Sequence, residues 1–171
     1  GYEPKKLKAQ FGSWFNFVAN ELDLSETELA TYQSNREFLD ALATTPMSKS
    51  FKMVTLLGMI AAEKFPGDIS IDELIDQVTK IGGRIRALRE EFGDALDDRK
   101  KMRQLLEGNP IAAWAGGKGM GNRQYFNYNN EQFSSFAAVQ SQFESLRNLA
   151  REICDYRLAQ SLDRLQGESG F

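Results

Sequence analysis

The chain has 171 residues, with 21 lysines and arginines against 24 aspartates and glutamates, no histidine and a single cysteine. The lack of histidine and the single cysteine exclude zinc fingers, haem ligand sets, histidine-based triads and Cys–His dyads. No internal disulfide can form, and no apolar run approaches the roughly 18 residues that span a bilayer. We therefore expect a globular cytoplasmic protein that does not enter a membrane.

The first quarter of the chain has the patterns of short helices. Apolar side chains recur at helical spacing over residues 4–22 and predict an amphipathic helix. Two Ser-x-x-Glu sequences follow, beginning at Ser25 and Ser34, and each is typical of a capping box at the start of a helix. We expect residues 1–45 to form a helical segment that packs on a core made by residues 46–171, in one compact unit.

The central part of the chain predicts a buried helix, a short strand and a second helix. Residues 51–65 are apolar nearly all round, which is typical of a helix at the centre of a core. The Pro-Gly-Asp sequence at residues 66–68 predicts a turn. Residues 69–71 alternate as in a short strand, and the helix that follows is interrupted by the glycine pair at residues 82–83.

The next part of the chain is basic and then rich in glycine. A helix is predicted over residues 94–106, ended by the Gly-Asn-Pro sequence at residues 108–110. Residues 116–121 include four glycines and predict a flexible loop. Aromatic residues on either side of the Asn-Asn-Glu sequence at residues 129–131 predict a β-hairpin, and residues 137–165 predict a long C-terminal helix.

Together these elements predict a mainly α protein, a multi-helix domain with a small β-hairpin. The order of helix, strand, helix, helix and hairpin is that of a winged-helix module, in which the hairpin forms the wing. A helical bundle that carries an accessory hairpin has the same elements. The sequence leaves both architectures open.

Positive charge is concentrated in one stretch, although the net charge of the chain is −3. Residues 80–123 contain ten lysines and arginines against six acids, whereas the remaining residues contain 11 against 18. A local basic face can bind nucleic-acid phosphates by releasing counterions. The alternative is an exposed helix face on which these cations pair with neighbouring acids. The candidate nucleic-acid contacts are Arg84, Arg86, Arg89, Lys100, Lys101, Lys118, Asn122, Arg123, Gln124 and Tyr125.

The glycine-rich loop does not carry a nucleotide-binding motif. Lys118 lies among the glycines and no Ser or Thr follows it, so the order of a P-loop is missing, and the glycine spacing is not that of a dinucleotide-binding turn. We therefore expect no cofactor and no metal. The loop either offers backbone amides, Lys118 and Arg123 to a nucleic-acid backbone, or it is a mobile connection in front of the hairpin.

Other conspicuous residues have a structural explanation beside a functional one, and for each the structural explanation is favoured. An acidic run, Asp72, Glu73 and Asp76, either binds a divalent cation or forms a solvated face. Cys154 is expected to be a small buried side chain. No carboxylate pair lies in a cleft-like context, so we expect no catalysis by this chain. Four hairpin aromatics either stack on bases or belong to the core: Tyr125, Phe126, Tyr128 and Phe133.

Five short segments between residues 49 and 162 carry a resemblance to a known family. They are Lys-Ser-Phe-Lys-Met at residues 49–53, Ile-Ser-Ile-Asp-Glu-Leu at 69–74, Asn-Pro-Ile-Ala-Ala-Trp at 109–114, Tyr-Phe-Asn-Tyr at 125–128 and Asp-Tyr-Arg-Leu at 155–158. Together they resemble accessory domains of bacterial DNA-restriction and phage-defence systems, which are often fused to superfamily II helicases or nucleases. The resemblance implies a noncatalytic module that faces DNA or a partner protein, with the motor or nuclease elsewhere in the chain or complex.

Two functional hypotheses follow from the sequence. In the first, the chain is a noncatalytic DNA-binding module of a restriction or defence system, which contacts the nucleic-acid backbone through the basic stretch and the glycine-rich hairpin region. In the second, it is a helical scaffold for protein–protein interaction within a larger complex. They are distinguished by whether the basic side chains share one face with the hairpin or pair with acids.

Overall fold

The computed structural model describes residues 25–121 and 123–169, with side chains described as far as residue 164. The helix predicted over residues 4–22 and the candidate contact Asn122 lie outside the described residues. Helices predominate and pack around a small antiparallel sheet, which confirms the mainly α class with a small hairpin. The helices are α1 (Glu26–Ser34), α2 (Arg36–Thr44), α3 (Phe51–Ala61), α4 (Ile71–Gly82), α5 (Arg86–Phe92), α6 (Arg99–Leu106), α7 (Ala112–Ala115) and α8 (Phe143–Ser169), and the strands are β1 (Asp68–Ser70), β2 (Phe126–Asn129) and β3 (Gln132–Ser135).

The first two described helices show one correct and one wrong prediction of a helix cap. The cap at Ser25 is confirmed, because the Glu28 N–H donates to Ser25 Oγ at 3.1 Å. The second cap, predicted at Ser34, is wrong. Ser34 is the last residue of α1, since the backbone N–H of Asn35 still bonds to the Thr31 carbonyl oxygen, and α2 begins after Asn35.

Helix α3 is the central element of the core. Eight of its eleven residues are buried, as the nearly continuous apolar sequence predicts. It ends at Ala61, before the predicted end at residue 65. Beyond it, Glu63 adopts a φ of 58° and the Lys64 N–H donates to the Met59 carbonyl oxygen at 2.9 Å, which satisfies an orphan carbonyl at the helix end.

The short strand and the helix that follows it are confirmed with small shifts. Strand β1 ends at Ser70, whose hydroxyl also caps α4 by accepting from the Glu73 N–H at 3.1 Å. The glycine pair ends α4 as predicted. Gly82 is required by close packing, because a Cβ at this position would lie 2.9 Å from the ring of Phe92.

The basic stretch is less regular than predicted. The single helix expected over residues 94–106 is wrong: a 3₁₀ turn over Gly93–Asp97 precedes α6. The physical reason is Asp98, whose carboxylate accepts from the N–H groups of Lys100 and Lys101 and so caps a new helix. The stop predicted at residues 108–110 is also wrong. A π-helical turn, Glu107–Ile111, contains the proline and continues into α7, since a wider turn tolerates a residue without an N–H.

The predicted hairpin is confirmed and belongs to the core. Asn130 and Glu131 have φ values of 52° and 61°, the left-handed pair of a type I′ turn. Strand β1 pairs with β3, so the strand order is β1-β3-β2. The Phe126 ring stacks between Trp114 at 4.8 Å and Phe133 at 5.1 Å. The predicted order of helix, strand, helix, helix and hairpin occurs as α3, β1, α4, α6 and the hairpin, with α5 inserted before α6 and α7 after it.

The long C-terminal helix begins later than predicted. A 3₁₀ turn, Gln140–Gln142, precedes α8, and Val139, which lies within the range predicted as helix, is outside α8 and 62% exposed. Ile153 of α8 is buried. Cys154 is also buried as predicted, and burial raises the pKa of its thiol. Within the described residues, every helix is too short or too polar to cross a membrane.

Candidate nucleic-acid interface

The basic side chains of residues 80–123 do not form one continuous face. On α5, Arg86 pairs with Glu90 at 3.2 Å, and Arg89 donates to the Gly83 carbonyl oxygen at 3.0 Å. Arg84, which precedes α5, is exposed, and no ion pair forms to it from the described residues. These three candidates therefore lie on and beside α5, and two of them already have partners.

Arg99 at the start of α6 connects this helix to α4. Its guanidinium donates to Asp76 Oδ1 at 2.6 Å, and to the carbonyl oxygen and Oδ1 of Asp72 at 2.9 and 3.3 Å. These two acids belong to the run considered as a cation site, and the single positive charge of Arg99 bonds to both of them. No group of three metal-ligating side chains occurs in the described part of the chain.

The two lysines after Arg99 differ in their surroundings. Lys101 pairs with Asp94 at 3.7 Å, and both side chains are largely exposed. Lys100 is exposed and has no ion pair among the described residues. An exposed pair at this distance contributes little to stability, so Lys101 can exchange its partner for a phosphate.

Arg103 connects α6 to the turn of the hairpin. Its guanidinium pairs with Glu107 at 3.2 Å and with Glu131 of the turn at 2.8 Å. The Tyr128 hydroxyl donates to Glu107 Oε2 at 2.6 Å. This bond and Arg103 lower the pKa of Glu107, while burial and the same bond raise the pKa of Tyr128 to about 12.

These contacts create a single polar surface, here called the helix–hairpin surface. Lys100, Arg103 and Gln104 share one face of α6, since they lie three and four residues apart. Because Arg103 reaches Glu131, that face lies beside the hairpin turn. The hairpin adds four exposed amide side chains: Asn127, Asn129, Asn130 and Gln132.

The candidates between the glycine-rich loop and the hairpin have separate neighbours. Arg123 is bonded to Glu37 of α2. Gln124 is exposed, whereas Tyr125 is half-buried, with its ring 5.3 Å from that of Phe38. Among the other hairpin aromatics, two are fully buried, Phe126 and Phe133, and Tyr128 is half-buried. The preferred core explanation therefore holds for the buried pair.

Lys118 belongs to a different cluster, here called the lysine pocket. Lys118, Lys49 and Lys52 line one cleft of about 610 Å³ between the start of α3 and the glycine-rich loop. Lys49 and Lys52 were not among the predicted contacts; Lys49 precedes the N-cap Ser50, and Lys52 lies in the first turn of α3. Nothing in the linear sequence indicates that Lys118 lies near them.

The two sites offer hydrogen-bond donors and positive charge. A lysine and an arginine beside exposed amides suit contacts to phosphates and to the edges of bases. Comparisons of the chain with protein-family models, with curated proteins and with solved structures each found no match. The functional argument therefore rests on the geometry of these residues.

Proposed function

We propose that this chain is a noncatalytic DNA-binding module that contacts DNA through the helix–hairpin surface. Lys100, and Lys101 after exchange of its partner, would bind backbone phosphates. Gln104 and the exposed asparagines of the hairpin would lie at a groove, where amides both donate and accept hydrogen bonds. The partner is DNA, with a protein partner or a fused helicase or nuclease supplying any catalysis.

The observation that carries this proposal is the contact between Arg103 and Glu131. It holds the face of α6 that carries Lys100 and Gln104 beside the amide-rich hairpin turn, which supports the DNA-binding hypothesis, whereas the pairing of Arg103 with an acid is what the scaffold hypothesis expects. Glu131 holds a left-handed backbone conformation that its side chain disfavours, at φ 61°. Its carbonyl oxygen also accepts from the Ile71 N–H at 2.9 Å, so the turn is fixed from two sides.

The resemblance to accessory domains of bacterial restriction and phage-defence systems supplies a biological context for the proposal. Its segments lie at the start of α3, across the end of β1 and the start of α4, in the turn into α7, in β2 of the hairpin and in α8. In this context the module would position a separate motor or nuclease on DNA.

The proposal is tested by measuring binding to a short DNA duplex by fluorescence anisotropy over about 50 to 200 mM salt. Lys100→Ala should weaken binding about fivefold, the equivalent of about 1 kcal/mol for an exposed charged contact. It should also reduce the slope of log affinity against log salt by about 1.

Lys64→Ala is the matched control. Lys64 is exposed and precedes Gly67, which bonds to Ser135 at the end of β3 opposite the hairpin turn. The control variant should bind DNA like the parent. The proposal is wrong if no binding occurs at low salt, or if Lys64→Ala and Lys100→Ala weaken it equally.

The alternative, a helical scaffold, is favoured by the ion pairs that neutralise Arg86, Lys101 and Arg123. A surface of paired charges is typical of an exposed helix face and of the rim of a protein interface. Light scattering after size exclusion tests this function. A stable self-association or a stoichiometric complex with a neighbouring gene product, together with no DNA binding, would establish the scaffold.

A further inference from the structure

The lysine pocket is concave and has the size of a small-molecule site. Its volume of about 610 Å³ lies within the range of clefts that hold ligands of up to drug size. Three chain segments form its walls: the connection from α2 to α3, the turn before α7 and the glycine-rich loop. Charged and apolar side chains alternate around it, among them Met47, Lys49, Phe51, Lys52, Ala113 and Lys118.

Lys52 is the fixed cation of this pocket. It is half-buried, and its ammonium donates to the Pro46 carbonyl oxygen at 2.8 Å and approaches Thr45 Oγ1 at 3.4 Å. An ammonium group has three donors, so one remains for a ligand in the cleft that Lys52 lines. The two protein contacts hold the nitrogen in place before any ligand arrives.

The positive charge in and behind the pocket is not balanced by acids. Arg157 of α8 is mostly buried and donates to the carbonyl oxygens of Leu42 and Thr45, which are neutral. Burial, Arg157 and Lys118 together lower the pKa of Lys52. Among the described residues, no carboxylate forms an ion pair with any of the three lysines or Arg157.

The glycine-rich loop is built to approach these groups closely. Gly119 has a φ of 79°, and a Cβ there would lie 3.0 Å from both Thr45 Oγ1 and the Pro46 ring and 3.4 Å from Lys52 Nζ. No acceptor among the described residues bonds to the Gly119 N–H. The Gly119 N–H, Lys52 and Lys118 therefore line the same cleft, at a position where only glycine fits.

We propose that the lysine pocket binds the phosphate group of a phosphomonoester, between Lys52 and Lys118, with Lys49 at the rim. A doubly charged phosphate matches several unpaired cations better than a single carboxylate does. The apolar walls at Met47 and Ala113 leave room for the organic part of the ligand. The cleft is too small to admit a duplex, so the phosphomonoester is either a free small molecule or the phosphorylated end of a single strand. This site is separate from the helix–hairpin surface.

The experiment compares matched ligand pairs with and without the phosphate on the full chain. Adenosine 5′-monophosphate is compared with adenosine, and 5′-phosphorylated oligothymidylate with its 5′-hydroxyl form, by titration calorimetry and by the phosphorus NMR signal. We expect the phosphorylated member of at least one pair to bind at least tenfold more tightly than its partner, the equivalent of one charge-assisted contact. Preference in the first pair indicates a free small molecule, and preference confined to the second indicates a strand end.

Variants locate the site. Lys118→Ala removes an exposed side chain and should abolish the preference for phosphate. Lys52→Met should also abolish this preference, because methionine keeps a side chain of similar length but has no ammonium group. Lys64→Ala, at an exposed lysine outside both sites, is the control and should leave the preference unchanged. The proposal is overturned if neither phosphorylated ligand binds more tightly than its match, if the preference survives Lys118→Ala, or if Lys64→Ala reduces it as much as Lys118→Ala does. DNA-duplex binding that depends on Lys100 is unaffected by either outcome.

Discussion

The helix–hairpin surface and the lysine pocket are both basic, but their charges are balanced in opposite ways. At the helix–hairpin surface Arg103 lies between Glu107 and Glu131. In the pocket, the contacts of Lys52 with described residues are all to neutral oxygens, and two further cations lie nearby. The acids of the helix–hairpin surface already offset the positive charge of Arg103, whereas the lysine pocket has positive charge that a bound anion would offset.

This difference teaches that a count of basic residues does not measure how much positive charge is available to a ligand. Of the basic residues in the stretch 80–123, several are neutralised by acids that lie far away in the sequence, such as Glu37 for Arg123. None of the three pocket lysines pairs with an acid in the part of the chain that the structure describes, and two of them, Lys49 and Lys52, lie outside that stretch. Availability depends on the neighbours that folding supplies.

The largest expected effect comes from Trp114, which lies between the two regions. It follows the pocket residue Ala113 and stacks on Phe126 of the hairpin at 4.8 Å, with no exposed surface. Trp114→Ala should reduce the free energy of unfolding by about 3–5 kcal/mol, measured by urea denaturation. Trp114→Phe should cost less, because it keeps a ring and removes an indole N–H that has no partner among the described residues. Equal losses in the two variants would contradict this account of the packing.

The second largest effect is expected from two glycine substitutions in the glycine-rich loop, one at the lysine pocket and one outside it. Gly119→Ala requires an alanine at φ 79° and crowds Thr45 and Lys52, while Gly121→Ala requires φ 64° in open space. Both should lose about 1–2 kcal/mol of unfolding free energy for the left-handed backbone. Only Gly119→Ala should lose further stability and phosphate binding, as measured by denaturation and by titration with adenosine 5′-monophosphate. A loss of binding in Gly121→Ala as well would mean that loop conformation, not crowding, controls the pocket.

A smaller effect is expected from the bond between Tyr128 and Glu107. Tyr128→Phe should reduce the unfolding free energy by about 1 kcal/mol near neutral pH. The pKa of Glu107 is lowered in the folded state, so its contribution is present above the usual value of 4.5 and is lost as the pH falls through the folded pKa. The pKa of Tyr128 is raised to about 12, so its contribution is present below pH 10 and is lost between about 10 and 12. Urea denaturation across these ranges should show both losses diminished in Tyr128→Phe.

The smallest effect on stability should accompany an increase in DNA binding. Glu131→Gln removes an exposed carboxylate that occupies Arg103, and should change the unfolding free energy by no more than about 1 kcal/mol. Arg103 then keeps only its pairing with Glu107 among the described residues, and the end of its guanidinium that Glu131 occupied is open to a phosphate, so duplex affinity should rise and the salt slope should steepen by up to about 1. Glu90→Gln, which frees Arg86 on α5, is the matched control and should leave affinity unchanged. Weaker binding in Glu131→Gln would show that the ion pair positions the surface.

Several elements could be predicted because their signals act over a few residues. The apolar run of α3, the Ser70 cap of α4 and the turn at Asn130 all depend on near neighbours, and the structure confirms the helix, strand and hairpin that they indicate. The signals that set the two wrongly predicted helix boundaries also act over a few residues. Asp98 is a better cap than the sequence pattern of a single helix suggested, and Pro110 is accommodated in a π turn.

The candidate sites were less predictable because they depend on contacts between distant residues. Arg99 bonds to Asp76, 23 residues away, and Arg103 bonds to Glu131, 28 residues away. Lys118 and Lys52 lie on separate elements and share a cleft only in the folded chain. Coulomb interactions depend on distance in space and on local burial, neither of which a sequence pattern specifies.

The sequence by itself determined the helical class, the hairpin, the buried position of Cys154 and the local excess of basic residues. Each of these follows from periodicity, capping or composition, which are properties of short segments. Only the tertiary structure decided which cations are neutralised and which converge without an acid. The physical reason is that a charge is compensated by the side chains that folding brings within a few ångströms of it. The net charge is a sum over all residues and does not depend on that arrangement.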